Sequence, residues 1–509
     1  MIIAFLLLSA CRTDKTAQHI FTYCLELTPQ NLDPQLAQNA AEMCAALNAF
    51  EGLTRLLNGK PELAAAQSCD ISSDGLVYSF TLNSKNRWSN EEPVTAADFV
   101  FGFRRALSPE LDSPLAMALF SVKNAQEVHS GLLHADSLGV TATGVYALEI
   151  TLAAPNREFL RTLASPAAFP CNKKFFEETK GHYGLEAKYI ISNGPFSVTF
   201  WDGEKLRLRP NKHYEGKNPP QSAGLTVFFD ADGDKRFADL KNEPYDAAVI
   251  PASFAESAHK EGFNVRELWN SLIAVCVNRG AAGTGNPEIA LALKLALEPE
   301  FYAENMPSFF KPADGVIPPD AAVFGQKIRT FSGGATALSP NPDAARTKFN
   351  KAISTLPGKT FPQTAILFPE EEGMRELTVR IAHSWQKNLS AYINLEGVPA
   401  EEFRRRLDSG EYAVALCPLL SGDGVSGFLT AAGKASGENL ESLITQTSKA
   451  DSAEFAAAKI REAEQILTDS AFFAPVAFTF KCVAVSNRIT FGEIENGSPD
   501  FWRASVLKN

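Results

Sequence analysis

The chain has 509 residues, 45% hydrophobic and 21% charged, which is enough apolar material for more than one folded core. Its formal net charge of −11 and pI near 5.3 argue against nucleic acid as a partner, because phosphate binding calls for clustered Lys and Arg. No GxSxG, HExxH, Walker A or GxGxxG pattern occurs, and the seven histidines show no metal-ligand spacing, so no catalytic residue, metal or cofactor is expected.

In chain order, the first ten residues, MIIAFLLLSA, are uncharged and apolar and lead into Leu8-Ser9-Ala10-Cys11. This tetrapeptide resembles the lipobox cleaved by lipoprotein signal peptidase, so residues 1–11 are expected to be a lipoprotein signal whose Cys11 takes a diacylglyceryl group. No Lys or Arg precedes the run, so the positive n-region of a signal is absent, and a buried strand is the alternative. The run is far short of the roughly 20 residues that span a bilayer, so contact with the membrane is expected through the lipid only. The other seven cysteines contain no CxxC pair. Cys276 in LIAVCVN and Cys417 in YAVALCP lie in apolar, strand-like runs, where buried thiols are the expected state and a bridge between the two is the alternative.

Further along, Glu51-Gly52-Leu53 reads as a turn, and Asp74-Gly75 opens an alternating strand, VYSFTL. Within Arg87–Arg105, RWSNEEPVTAADFVFGFRR, Asn90–Pro93 reads as a turn. Thr95 starts a helix with Asp98 at capping-box spacing, and Phe99, Phe103 and Leu107 form a core-facing stripe. Tyr146–Leu152 is another alternating strand, and Asn193-Gly194-Pro195 another turn. Asp230–Asp234 begins like a calcium loop but has Lys235 and Lys241 where glycine and the closing acid belong, so it reads as a turn before a helix. Phe237–Val249 and Phe403–Ala415 each read as a helix, a tight turn and a buried strand. Trp385 sits in a helical pattern and is expected in a core, while Trp269 is left as an aromatic that a pocket could use.

The order of these segments, with Arg87–Arg105 foremost, resembles the dipeptide- and oligopeptide-binding lipoproteins of ABC importers, the extracellular solute-binding proteins of family 5. The resemblance implies a mixed α/β, periplasmic-binding-protein-like type II fold with two main lobes, an extra inserted lobe and a hinged ligand cleft. The implied lobes are 18–54 with 184–268 and 474–509, then 55–183, then 269–473. It also implies a monomer that is exported, lipid-anchored to the cell envelope, loaded with a short peptide and emptied by the transmembrane subunits of an ABC permease. Peptide recognition would use backbone pairing with strands of both main lobes. Glu42 falls at the position of a family glutamate near the peptide, with a solvated helix-face carboxylate as the alternative. On the other wall the implied ligand positions are Leu419, Ser421 and Asp423. Ser421 stands where peptide binders commonly carry an amine-binding aspartate. Asp423 could reach the same space or could be a plain turn residue. Leu115 and Ala400 replace usual cleft aromatics, which keeps a non-peptide solute, or a sensory or adhesive lipoprotein that has lost transport, as alternative readings.

Overall fold

The computed structural model describes residues 19–507 apart from 218, 243, 300–305, 332–338, 421–423, 449, 451, 493, 496–497 and 500. Cys11, Ser421 and Asp423 therefore lie outside the described residues. The mixed α/β expectation is borne out. Nineteen strands carry the architecture: β1 (Ile20–Leu25), β2 (Thr54–Leu57), β3 (Lys60–Leu63), β4 (Ala66–Ile71), β5 (Val77–Leu82), β6 (Val140–Gly144), β7 (Ala147–Thr151), β8 (Phe196–Trp201), β9 (Lys205–Pro210), β10 (Gly224–Phe229), β11 (Ala247–Ile250), β12 (Asn264–Val277), β13 (Phe310–Pro312), β14 (Ala322–Val323), β15 (Gln326–Lys327), β16 (Thr364–Pro369), β17 (Ile393–Val398), β18 (Val414–Leu420) and β19 (Phe473–Val485).

Eleven of them form one sheet, in the order β17-β16-β18-β12-β19-β11-β1-β10-β9-β8 with β13 added on β19. Strands β1, β10 and β11 form one half with parallel pairing, and β16, β17 and β18 the other. The long antiparallel pair β12 and β19 runs through both halves. Its register breaks between Leu268 and Ser271, where Trp269 turns away from β19 to exchange bonds with Asp320: its N–H donates to the carboxylate at 2.8 Å and its C=O accepts from the Asp320 N–H at 2.9 Å. An interruption in the long pair of strands that runs through both halves of this sheet is where such a molecule bends most cheaply. Strands β4-β5-β7-β6 make a separate antiparallel sheet, and β2–β3 and β14–β15 are hairpins.

Local chemistry explains the segments read from the sequence. The helix Ala96–Ala106 starts as expected, with Asp98 accepting from the Thr95 N–H at 2.7 Å and from the Trp88 indole at 3.4 Å. Phe99, Phe103 and Leu107 are all fully buried. The two turn motifs dock on each other: the Asn193 amide accepts from the Glu51 N–H at 3.1 Å and donates to the Glu51 C=O at 2.8 Å. Gly194 lies so close that a Cβ there would sit 2.7 Å from the Phe50 backbone, which is why this turn needs glycine. Asp232 caps the helix Gly233–Lys241 by accepting from the Lys235 N–H, so the calcium-like run is a helix start. Trp385 is fully buried and donates to the Leu293 carbonyl. Cys276 and Cys417 are buried free thiols, like the five other described cysteines apart from the half-buried Cys69.

Candidate functional site

Open α/β sheets place ligands at the carboxyl ends of their parallel strands. Here the two halves meet at those ends, because the loop that leaves β11 at Pro251 touches the loop that leaves β16 at Pro369. The contact is made by Glu372, whose carboxylate accepts from the Ala252 N–H at 3.0 Å and the Ser253 N–H at 3.2 Å. Around it lie charges from both halves. Against the burial that favours its neutral form, the Lys481 ammonium, 2.5 Å away, holds Glu26 below the ordinary carboxylate range. Glu371 is exposed; its main chain bonds to Pro369 and Met374, and its carboxylate has no hydrogen bond or ion pair among the described residues. Loss of surrounding water nevertheless pushes its carboxyl upward, with Lys481 opposing and Glu26 adding to the rise.

The wall beside these charges is β18, and the position of its proline determines what it offers. Pro418 faces Ile273 across the antiparallel ladder and has no N–H, so this pair must be a non-hydrogen-bonded one. The bond from Asn278 N–H to the Ala413 C=O, 3.0 Å, gives the same parity. It follows that Ala415, Cys417 and Leu419 turn their main-chain groups toward β12, while Leu416, Pro418 and Leu420 turn theirs the other way. On that other side, the parallel ladder with β16 is recorded only at Ile366↔Val414 and Leu367↔Ala415. Continuing it would require an N–H from residue 369, which is Pro369. Among the described residues the edge is thus open from the Leu416 carbonyl onward, and it presents the carbonyls of Leu416, Pro418 and Leu420 with the N–H of Leu420.

Leu419 therefore does not lie on the open edge. Its main chain is turned to Leu272 and its side chain is buried in the core, 5% exposed, whereas Leu420 beside it is 50% exposed. Strand parity, which residue type alone does not supply, separates the two. Glu42 is also not a solvated carboxylate. It is 4% exposed, and it accepts from the main-chain N–H groups of Gln30 at 2.8 Å, Gln38 at 2.8 Å and Asn39 at 3.3 Å. Asn39 returns a cap to the helix Ala40–Ala49, so Glu42 fixes the loop 30–39. Trp269 is not a free platform either: its indole lies 4.6 Å from the Phe480 ring and 3.8 Å from the Lys311 ammonium at the register break. The sequence reading did not single out Pro369, Glu371, Glu372 or Pro418. The prolines inside strand-like runs were the available signal.

A second concavity, an open groove of about 700 Å³, runs from Thr28–Gln30 along Leu185–Lys188 to the turn between β8 and β9. Among the described residues no group of three or more His, Cys, Asp or Glu is placed to hold a metal ion. No described helix is long and apolar enough to cross a membrane.

Comparison with known proteins adds three findings. Residues 60–426 match the family described as bacterial extracellular solute-binding proteins, family 5 Middle. The dipeptide-binding protein DppE of Bacillus subtilis is 24% identical over 73% of this chain and 68% of its own length. The probable deoxycholate-binding periplasmic protein YgiS of Escherichia coli is 25% identical over 92% and 89%. In three dimensions, the murein tripeptide binding protein MppA of Escherichia coli, 21% identical, superposes over 97% of this chain and 99% of its own with a TM-score of 0.81. The unliganded open form of MppA, 22% identical over 97% and 98%, gives 0.67. The architecture is the periplasmic-binding-protein type II fold.

Proposed function

Because this chain belongs to the bacterial extracellular solute-binding proteins of family 5, we propose that it captures short peptides outside the cell and delivers them to an ABC permease, making and breaking no bond itself. The observation that carries this reading is the open edge of β18. An extended peptide places main-chain N–H groups on alternate residues, which suits the carbonyls of Leu416 and Pro418 two residues apart, and main-chain pairing tolerates many side chains. The unpartnered carboxylate of Glu371 supplies a place for a cationic group of the ligand. DppE, a dipeptide-binding protein, supports the same ligand class.

The proposed lobes are 18–54, 184–268 and 474–509 for the first, 55–183 for the inserted one and 269–473 for the third. The register break at Leu268–Ser271 supports the boundary between first and third. Glu42 acts on the ligand through the loop it holds, and Ser421 and Asp423 are further ligand residues of this reading. The chain works as a monomer anchored by the lipid on Cys11, and a Cys11→Ala chain that still fractionates with membranes would sink the anchor.

The experiment is native mass spectrometry of the protein starting after Cys11, freshly purified and then denatured to identify its cargo. A ladder of short peptides is expected. A mass that stays unshifted in a tripeptide library would overturn the reading. The breadth of the match to YgiS favours one second reading, an amphipathic non-peptide solute, and the same spectrum would show it as a single small mass.

A further inference from the structure

Two contacts link parts of the molecule that lie on opposite sides of the register break, one between the halves of the sheet and one between two hairpins outside it. The first is Glu372, which sits in the loop between β16 and the helix Met374–Leu389. Its two oxygens take one N–H each, from Ala252 at 3.0 Å and Ser253 at 3.2 Å, in the segment that follows β11. These residues lie on opposite sides of the register break in β12 and β19, so bending at that break separates them. The second contact joins two hairpin tips. Gly325, at φ +70° in the turn of β14–β15, lies against Arg161, whose guanidinium donates to the carbonyl of Gly59 in the turn of β2–β3. A Cβ on Gly325 would come within 2.9 Å of that guanidinium.

We propose that Glu372 is the latch of the closed state: its carboxylate holds the ligand-binding halves together by gripping the Ala252 and Ser253 amides, and its release accompanies opening. Three observations support this assignment. Charge-assisted bonds to main-chain N–H groups are the stronger kind, and two on one carboxylate fix orientation as well as distance. Glu372 is an exposed residue in a loop, so the grip is not needed to complete a core. The arrangement of the halves is also nearer to MppA, TM-score 0.81, than to the unliganded open form of MppA, 0.67. Glu372 is a positioning residue and touches no ligand. Its neighbour Glu371 carries the free carboxylate that the ligand can meet, so one acidic pair divides closure from recognition. The inference rests on the binding reading only in calling the cleft a ligand site; the latch itself is tested without any ligand.

The test is hydrogen exchange on the full soluble chain, comparing wild type with Glu372→Ala, Glu372→Gln and the control Glu376→Ala on the helix that follows the loop. In Glu372→Ala, the amides of Ala252 and Ser253 are expected to exchange at least tenfold faster, and the segments around Gly59 and Gly325 to lose protection with them. Glu372→Gln, which keeps an acceptor oxygen, should fall between Glu372→Ala and wild type, and Glu376→Ala should match wild type. Unchanged exchange at Ala252 and Ser253 would overturn the contact. Faster exchange there with Gly59 and Gly325 still protected would overturn its role as a latch, since the halves would then stay closed without it. Dissociation of the tripeptide library is expected to be roughly thirtyfold faster in Glu372→Ala, the effect of losing two hydrogen bonds. Absence of any library binding to wild type would count against peptide capture and leave the exchange result standing.

Discussion

The segment Arg87–Arg105 and the cleft wall from Pro369 to Leu420 treat polar groups in opposite ways. In the first, nearly everything polar is matched inside the protein. The Arg105 guanidinium, buried, bonds to Asp33 at 2.6 Å and to the Gln35 side chain at 2.6 Å, and lies 4.3 Å from the Phe176 ring. Trp88 and Thr95 both donate to Asp98. In the second, carbonyls on the edge of β18 face no described strand, and the Glu371 carboxylate has no described partner. A matched network demands particular residue types at particular places, which gives the first segment its recognisable sequence. A binding wall must leave its bonds unmade until a ligand arrives.

If that contrast is right, damage to the first region should cost stability and damage to the second should cost binding. The largest effect is expected for Arg105→Ala, which leaves the Asp33 carboxylate, 3% exposed, buried without its cation. A loss of about 3–5 kcal/mol is expected in urea unfolding, with ligand affinity of the remaining folded protein unchanged. A loss near zero would break the comparison at its first term. Next is Leu420→Pro, which deletes the one N–H that the open edge offers. Binding of a tripeptide library should weaken up to about tenfold, by the worth of one hydrogen bond, while the melting temperature holds. A fall in melting temperature with unchanged binding would mean that the edge is structural.

The smallest effect sharpens the contrast by probing an exception on the matched side. Glu51 is buried, its Oε2 finds no partner among the described residues, and burial raises its pKa above the ordinary 4.5, with Arg55 and Tyr214 opposing. A carboxyl whose pKa rises on folding binds its proton more tightly in the folded state, so its contribution to stability falls as pH rises through the window above 4.5. Glu51→Gln should therefore be more stable than wild type at pH 7, by on the order of 1 kcal/mol. The difference should shrink as pH falls toward 4.5. A difference that stays constant with pH in thermal unfolding would show that the Glu51 charge is not the cause.

What could be read locally came out as read. The stripe of Phe99, Phe103 and Leu107 follows from helical spacing alone, and the Asp98 cap from its distance to Thr95. The helix-turn-strand units at Phe237 and Phe403 became helices leading into β11 and β18. Glu42 and Leu419 were harder. Glu42 is buried because the loop from Gln30 to Asn39 folds back over it, and nothing in the run NAAEM encodes that return. Leu419 and Leu420 are the same residue type side by side, and only pairing with β12 decides which one enters the core.

The sequence by itself determined the elements, the caps and the family, because these depend on residues within a few positions of one another and on their order along the chain. The tertiary structure alone decided which main-chain groups stay unpaired and which carboxylate is free. Those outcomes depend on register between strands more than a hundred residues apart. Glu371 and Glu372 are adjacent and chemically identical, yet one faces the cleft unpaired and the other grips Ala252 and Ser253, because the two halves of the sheet meet at one of them and not at the other.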